Sequence, residues 1–261
     1  MNLLFIGDIV GRPGRDAVKA LLPELVRRYQ VDFTVANGEN ASGGLGITQS
    51  VAEELFQAGI EVLTTGNHVW RQREAVGYLG TEPRLLRPAN YPTEAPGRGG
   101  QVFITAHSGS VGVVNLQGRV FMDPIDCPFR AADREIEQLR GKTNVVIVDI
   151  HAEATSEKVA MGWYLDGRVS AVIGTHTHVQ TADERLLPRG TAYLTDVGMT
   201  GPRDSILGVK AEPVIRRFLT GVPSRFELAT GPLLLNAALV DIDTEAGTAR
   251  SVARVTEVIS Q

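Results

Sequence analysis

LLFIGDIVGRPGR, Leu3 to Arg15, is the stretch from which the rest of the chain can be read. The unbroken apolar run LLFIG reads as a strand buried on both faces. Asp8 follows at once, and Pro13 opens a helix in which Val18, Leu21, Leu22, Leu25, Val26 and Tyr29 recur at helical spacing. A strand passing into a helix this way is the first half of a βαβ unit. The rhythm continues with a strand at DFTVAN (Asp32 to Asn37), a helix after Thr48 and a strand at EVLTT (Glu61 to Thr65). In that second helix Ser50 and Glu53 have capping-box spacing and Gly59 sits where a C-cap is expected.

Further on, QVFITA and VGVVNL form a hairpin pattern between Gln101 and Leu116. A helix near Ala131 to Leu139, a strand at NVVIVDI (Asn144 to Ile150), a short helix after Thr155 and a strand at RVSAVIG (Arg168 to Gly174) follow. From TAYLTDVG onward the chain reads mostly as strand: RFELATG, LLLNAALVDID and ARSVARVTEV, with the turn TEAGT between the last two. Strands therefore come from both ends, and the expected fold is α/β, two packed sheets with helices outside. No repeat or linker-like segment marks a boundary, so residues 1–261 read as a single domain.

Composition sets limits on function. With 43% hydrophobic residues the chain can bury a large core, and a formal net charge of -4 gives no extended nucleic-acid surface. Any phosphate chemistry needs a local cationic centre. The lone Cys127 rules out an internal disulfide or a cysteine-rich zinc site. MNLLFIGD lacks a basic n-region, and no stretch approaches the roughly 20 apolar residues of a membrane span, so the expected location is cytoplasmic.

The informative pattern lies where strands end. LLFIG leads to Asp8, TVAN to Gly38-Glu39-Asn40, VLTTG to Asn67-His68, VVIVDI to His151, and SAVIG to His176 and His178. Taken singly, each residue has a plainer use: an Asp or Asn after a strand caps a helix or makes a turn, and a lone His is more often a hydrogen-bonded surface or core residue. Together they place four of the five histidines, one Asp and one Glu on the strand edge where α/β sheets bind ligands. One structural zinc takes four ligands, usually including cysteine. The set here is larger and sulfur-free, which suits two metals roughly 3.5 to 4 Å apart sharing a carboxylate, as in phosphatases and nucleases. Iron, manganese and zinc all fit such N/O donors. Two dications would lower the pKa of a shared water and neutralise phosphoryl oxygens. A histidine beside the metals but not bound to them would protonate the leaving alkoxide. His68 is the candidate, since Asn67 can offer its amide oxygen while the adjacent imidazole points elsewhere.

These blocks, GDIVGRPGR, NGENASGG, TTGNHVW, DIHAEATSEK and GTHTHVQTAD, resemble in order the bacterial YmdB-like phosphodiesterase family of the calcineurin-like metallophosphoesterase superfamily. The similarity runs from the first strand to about Gly201. It implies a four-layer αββα sandwich of two mixed sheets flanked by helices, and hydrolysis of small phosphodiesters, 2′,3′-cyclic nucleotides among them. It further implies two metal ions, iron first, with manganese or zinc as the other candidates. Asp8, Glu39, Asn40 and His178 would hold one, and Glu39, Asn67, His151 and His176 the other, with Glu39 as the bridge and His68 as the general acid. Two features depart from the wider superfamily. Asp8-Ile9-Val10 lacks the histidine of its Asp-x-His motif, for which Asn40 compensates, and Glu39 replaces its bridging Asp. If His176-Thr177-His178 continues the strand, both imidazoles face one side and straddle the two metals. The alternatives carried forward are a broad-specificity phosphatase, a metal-dependent amidase, and a regulatory nucleotide-binding protein that retains the site.

Other signals are weaker. GDIVGRPGR lacks the spacing of a nucleotide P-loop, and Arg12 and Arg15 read as solvated helix-start residues. The glycine run Ser42 to Gly46, beside Glu39, reads equally as a plain flexible loop or as one that shapes or closes over the pocket. His107 reads as structural and Cys127, Trp70 and Trp163 as core residues, and a homo-oligomer is compatible with the sequence without being signalled by it.

Overall fold

In β1 (Asn2–Ile6) successive apolar side chains alternate between two cores, Leu3 and Phe5 facing one and Leu4 and Ile6 the other. That alternation sets the layering. In this computed structural model, which describes residues 1–105 and 109–259, the chain continues through β2 (Asp8–Ile9), α1 (Gly11–Tyr29), β3 (Phe33–Asn37), α2 (Gln49–Gln57), β4 (Val62–Thr64) and α3 (Ala75–Thr81). Next come β5 (Gly100–Ile104), β6 (Ser110–Gln117), α4 (Pro128–Leu139), β7 (Val145–His151), α5 (Thr155–Leu165) and β8 (Ala171–Thr175). The remainder is β9 (Arg185–Leu186), β10 (Ala192–Leu194), β11 (Met199–Pro202), α6 (Ala211–Thr220), β12 (Leu233–Asp243) and β13 (Thr248–Ile259).

The first sheet runs β2-β11-β12-β1-β3-β4, with β13 pairing the other side of β12. β1, β3 and β4 are parallel, whereas β12 returns antiparallel to β1 with Leu4 opposite Leu239. The second sheet runs β5-β6-β7-β8-β10-β9, parallel from β6 to β10 and antiparallel at both edges. Between the sheets lie Phe5, Phe33, Val35, Ile147 and Ile173. α1 and α2 cover the outer face of the first sheet through Leu22, Leu25 and Leu55, and α4 and α5 cover that of the second through Ile136, Met161 and Leu165. The result is the expected αββα order. β1, β3 and β4 in one sheet and β7 and β8 in the other all end at one edge of the sandwich, where Asn37 of β3 hydrogen-bonds Asp149 of β7 across the interface.

Several local readings change. The tail is not all strand: α6 occupies Ala211–Thr220 with only Val214 buried, so its apolar residues do not form the core-facing stripe that makes a helix recognisable. RFELATG forms no strand apart from one bridge between Val209 and Leu228. α2 is capped by Thr48, whose extended backbone lets its hydroxyl accept from the Val51 amide at 3.3 Å; Ser50 already lies inside the helix. Trp163 is 52% exposed on α5 and Cys127 is half-buried before α4, so neither is a core residue, whereas Trp70 packs edge-on against Tyr91. His107 lies outside the described residues. Among those described, no helix is long and apolar enough to cross a membrane.

Candidate metal centre

The candidate ligands sit at or just past the ends of buried strands: His151 is the last residue of β7, Asp8 opens β2 directly after β1, and the others follow β3, β4 and β8. Glu39, His151 and His176 converge until one ligand atom from each lies within 4.8 Å of the others. His151 Nε2 stands 3.2 Å from Glu39 Oε1, 3.1 Å from Asn67 Oδ1 and 3.0 Å from His176 Nδ1. On the other side of Glu39, Asn40 Nδ2 is 3.1 Å from Glu39 Oε1 and 3.2 Å from His178 Nε2, and Asp8 Oδ1 is 3.9 Å from His178 Nε2. Glu39 thus lies between His151 and His176 on one side and Asn40 and His178 on the other, while Asp8 Oδ1 is 3.8 Å from His151 Nδ1 as well as 3.9 Å from His178 Nε2.

The donor set fits cations. Asp8 Oδ1 is buried without a hydrogen-bond partner among the described residues, a costly condition for a carboxylate oxygen. Its carboxyl is pushed up by burial, against the pull of His178 and His151. Glu39 is just as buried, but His151 and His68 outweigh that burial and hold it well below the usual carboxylate range. Burial alone would lower His151, and Glu39, Asp8 and Asp149 around it instead raise it to about 9. His176 is lowered to about 3 by burial and by His151 beside it. Carboxylates and imidazole nitrogens crowded without sulfur are the chemistry of an N/O metal site.

β8 ends at Thr175, and His176 and His178 take φ of 99° and 65°, so the pair does not continue the strand. The two imidazoles reach opposite ends of the site through a strained turn. His68 also differs in detail from the expectation. Its ring turns toward the site, with Nδ1 2.8 Å from Asn40 Oδ1 and 3.2 Å from Glu39 Oε1, while its backbone N–H donates to Glu39 Oε2. It lines a cleft of about 320 Å³ together with His176, His178, Gly44 and the apolar Val10, Leu207 and Leu228. A larger cavity of about 600 Å³ beside α4 contains none of the candidate residues. Arg12 is exposed beside Asp16, whereas Arg15 ties α1 to Ala41 O and Glu54 and is not simply solvated.

The sequence reading missed the residues that hold the ligands. His151 Nδ1 is 2.9 Å from Thr175 Oγ1, which donates at 2.7 Å to Asp149 Oδ1; the other oxygen of Asp149 accepts from Thr64 Oγ1 and Asn37 Nδ2. With Thr175 donating to Asp149, its oxygen receives the His151 Nδ1 proton, which turns Nε2 toward Glu39 and Asn67. Burial raises Asp149 to about 6 even so. Glu153 Oε2 is 3.1 Å from His176 Nε2 in the same manner. Glu153 and Asp149 both lie in the DIHAE block, but period-2 alternation alone does not distinguish a buried ligand support from a strand-ending polar residue.

Comparison with known proteins agrees with this architecture. The family model for YmdB-like protein matches residues 4–255, well past Gly201 where the recognisable motifs stop. The 2′,3′-cyclic-nucleotide 2′-phosphodiesterase of Bacillus subtilis (strain 168) is 49% identical over 255 residues, covering 98% of this chain and 96% of the relative. The crystal structure of a novel phosphatase from Mycoplasma pneumoniae superposes with a TM-score of 0.93 at 34% identity, covering 100% and 94% of the two chains. The calcineurin-like phosphoesterase YfkN of Bacillus subtilis, at 12% identity, a TM-score of 0.56 and coverage of 100% and 90%, shares the fold. With nearly its whole length matched by the model and half its residues shared with a relative of the same size, this chain belongs to the YmdB-like protein family.

Proposed function

We propose that the chain is a metal-dependent phosphodiesterase with two metal positions, acting on small phosphodiesters of the 2′,3′-cyclic nucleotide class. The observation that supports this reading is the cluster of Glu39, His151 and His176 with the orphaned Asp8 Oδ1 beside it. Asp8, Glu39, Asn40 and His178 would hold one ion, and Glu39, Asn67, His151 and His176 the other; iron is the first candidate, then manganese or zinc. When bound, the ions supply the positive charge that activates water and offsets the charge growing on the phosphoryl oxygens. That charge matters because, among the described residues lining the cleft, there is no Lys or Arg.

The remaining work falls to the protein. His68 keeps Nδ1 against Asn40 Oδ1, which fixes the ring and leaves Nε2 to carry a proton to the departing alkoxide. Val10, Leu207 and Leu228 form an apolar wall against which the organic part of the ester rests while water is excluded. A cleft of about 320 Å³ suits a mononucleotide more than a polymer, in keeping with a net charge of -4. The close similarity to a 2′,3′-cyclic-nucleotide 2′-phosphodiesterase supports this choice of substrate.

The test is hydrolysis of 2′,3′-cyclic AMP and of a simple aryl phosphodiester by protein loaded with manganese or iron. The expected result is turnover that falls about 10²- to 10⁴-fold in His68→Ala with metal content unchanged. Metal-loaded protein that hydrolyses neither compound would favour a regulatory nucleotide-binding role.

A further inference from the structure

Lys158 of α5 and Asp196, which follows β10, are both fully buried, yet neither reaches the cleft. Their charges meet with Nζ 2.6 Å from Oδ2. Apolar residues of similar volume commonly serve packing as well as a buried ion pair does, so what else the pair holds is the informative question. Asp196 is also a hub: Oδ2 accepts from the backbone N–H of Thr177 at 3.0 Å and from its hydroxyl at 2.7 Å, and Oδ1 accepts from Gly198 N–H at 2.8 Å. Thr177 is the residue between His176 and His178, both held in the left-handed region where non-glycine backbone needs outside support. Gly174 makes the arrangement spatially feasible, because a Cβ there would collide with Thr195 O and crowd the Lys158 stem.

We propose that the Lys158–Asp196 pair is a positioning device: it pins Thr177 and so sets His176 and His178 toward the two metal positions. This rests on the reading of those histidines as ligands. Lys158 Nζ fixes Asp196 from one side, and the same Asp196 Oδ2 accepts both donors of Thr177 at once. Held at its midpoint, the turn has little freedom to carry either imidazole away.

Manganese titration of chelated full-length protein, followed by calorimetry, tests this alongside the thermal midpoint of the metal-free form. Thr177→Val removes only the hydroxyl donor, Thr177→Ser retains it, and Lys158→Met removes the cation. The expected result is two manganese per parent chain and at least about tenfold weaker manganese binding in Thr177→Val, the size seen when ligand supports are lost. The metal-free midpoint should stay close to the parent's, Thr177→Ser should recover parental affinity, and folded Lys158→Met should be weaker still. Parental affinity in Thr177→Val, or equal losses in Val and Ser, would overturn the clamp alone. A parent that binds no manganese would overturn the ligand reading and the clamp with it.

Discussion

Gly66 shows how little room the site leaves at the scale of one residue. A Cβ there would stand inside the His151 ring and against Glu39 Oε2, two groups that belong to the shared centre. Gly66→Ala should therefore displace ligands while leaving the buried strands on either side intact. The expected outcome is a folded variant whose metal-free melting midpoint is lowered by the overpacking and whose metal content, measured by elemental analysis after dialysis, is lost; retention of full metal content would count against the placement of Glu39 and His151. The candidate ligands were readable because each follows an apolar run at a strand exit, a pattern that survives ignorance of the tertiary structure. Asp149, Lys158 and Asp196 were not, since their importance arises from partners 38 residues apart in one case and across the sheet interface in another.

Among the elements, the segment between β8 and β10 shows how a turn is secured by carboxylates. Asp183 Oδ1 accepts from Thr181 Oγ1 at 2.7 Å and from Thr195 N–H at 3.2 Å, and its other oxygen takes the Thr195 hydroxyl. Burial pushes its carboxyl up, but these hydrogen bonds prevail and hold it below the usual range. A depressed folded pKa stabilises above the unfolded value, and the contribution is lost as pH falls through the folded one. Urea midpoints of parent and Asp183→Asn should therefore differ at pH 7 and converge below about pH 4, where Asp183 becomes protonated in the unfolded chain and then in the folded one. A difference that stays constant with pH would show that the charge is not involved. Elements with strong periodicity, such as α1 and β7, were legible in the sequence. α6 was not, because only one of its residues is buried and packing gives it no apolar stripe to display. The strand expected through His178 ends at Thr175, and beyond it Thr177 bonds Asp196, a partner 19 residues away that no local propensity records.

For the molecule as a whole, two sheets are pressed together so that parallel strands from both end at one edge. The N-terminal half supplies Asp8, Glu39, Asn40 and Asn67 from the first sheet, and the second sheet supplies His151, His176 and His178. The β12–β13 hairpin completes the first sheet from the far end of the chain, as the strand patterns at both ends of the sequence imply. Neither sheet alone carries the full set of candidate ligands, so under the proposed assignment metal binding would report on how the two sheets are joined. Glu39 stands at that junction and is assigned to both positions, which makes it the residue on which a two-metal account depends most. The most direct measurement is the metal-to-protein ratio of the folded parent and of Glu39→Ala after loading with manganese or iron. The account predicts two ions per parent chain and loss of both positions in the variant; one ion per parent chain, or a variant that still holds two, would contradict it.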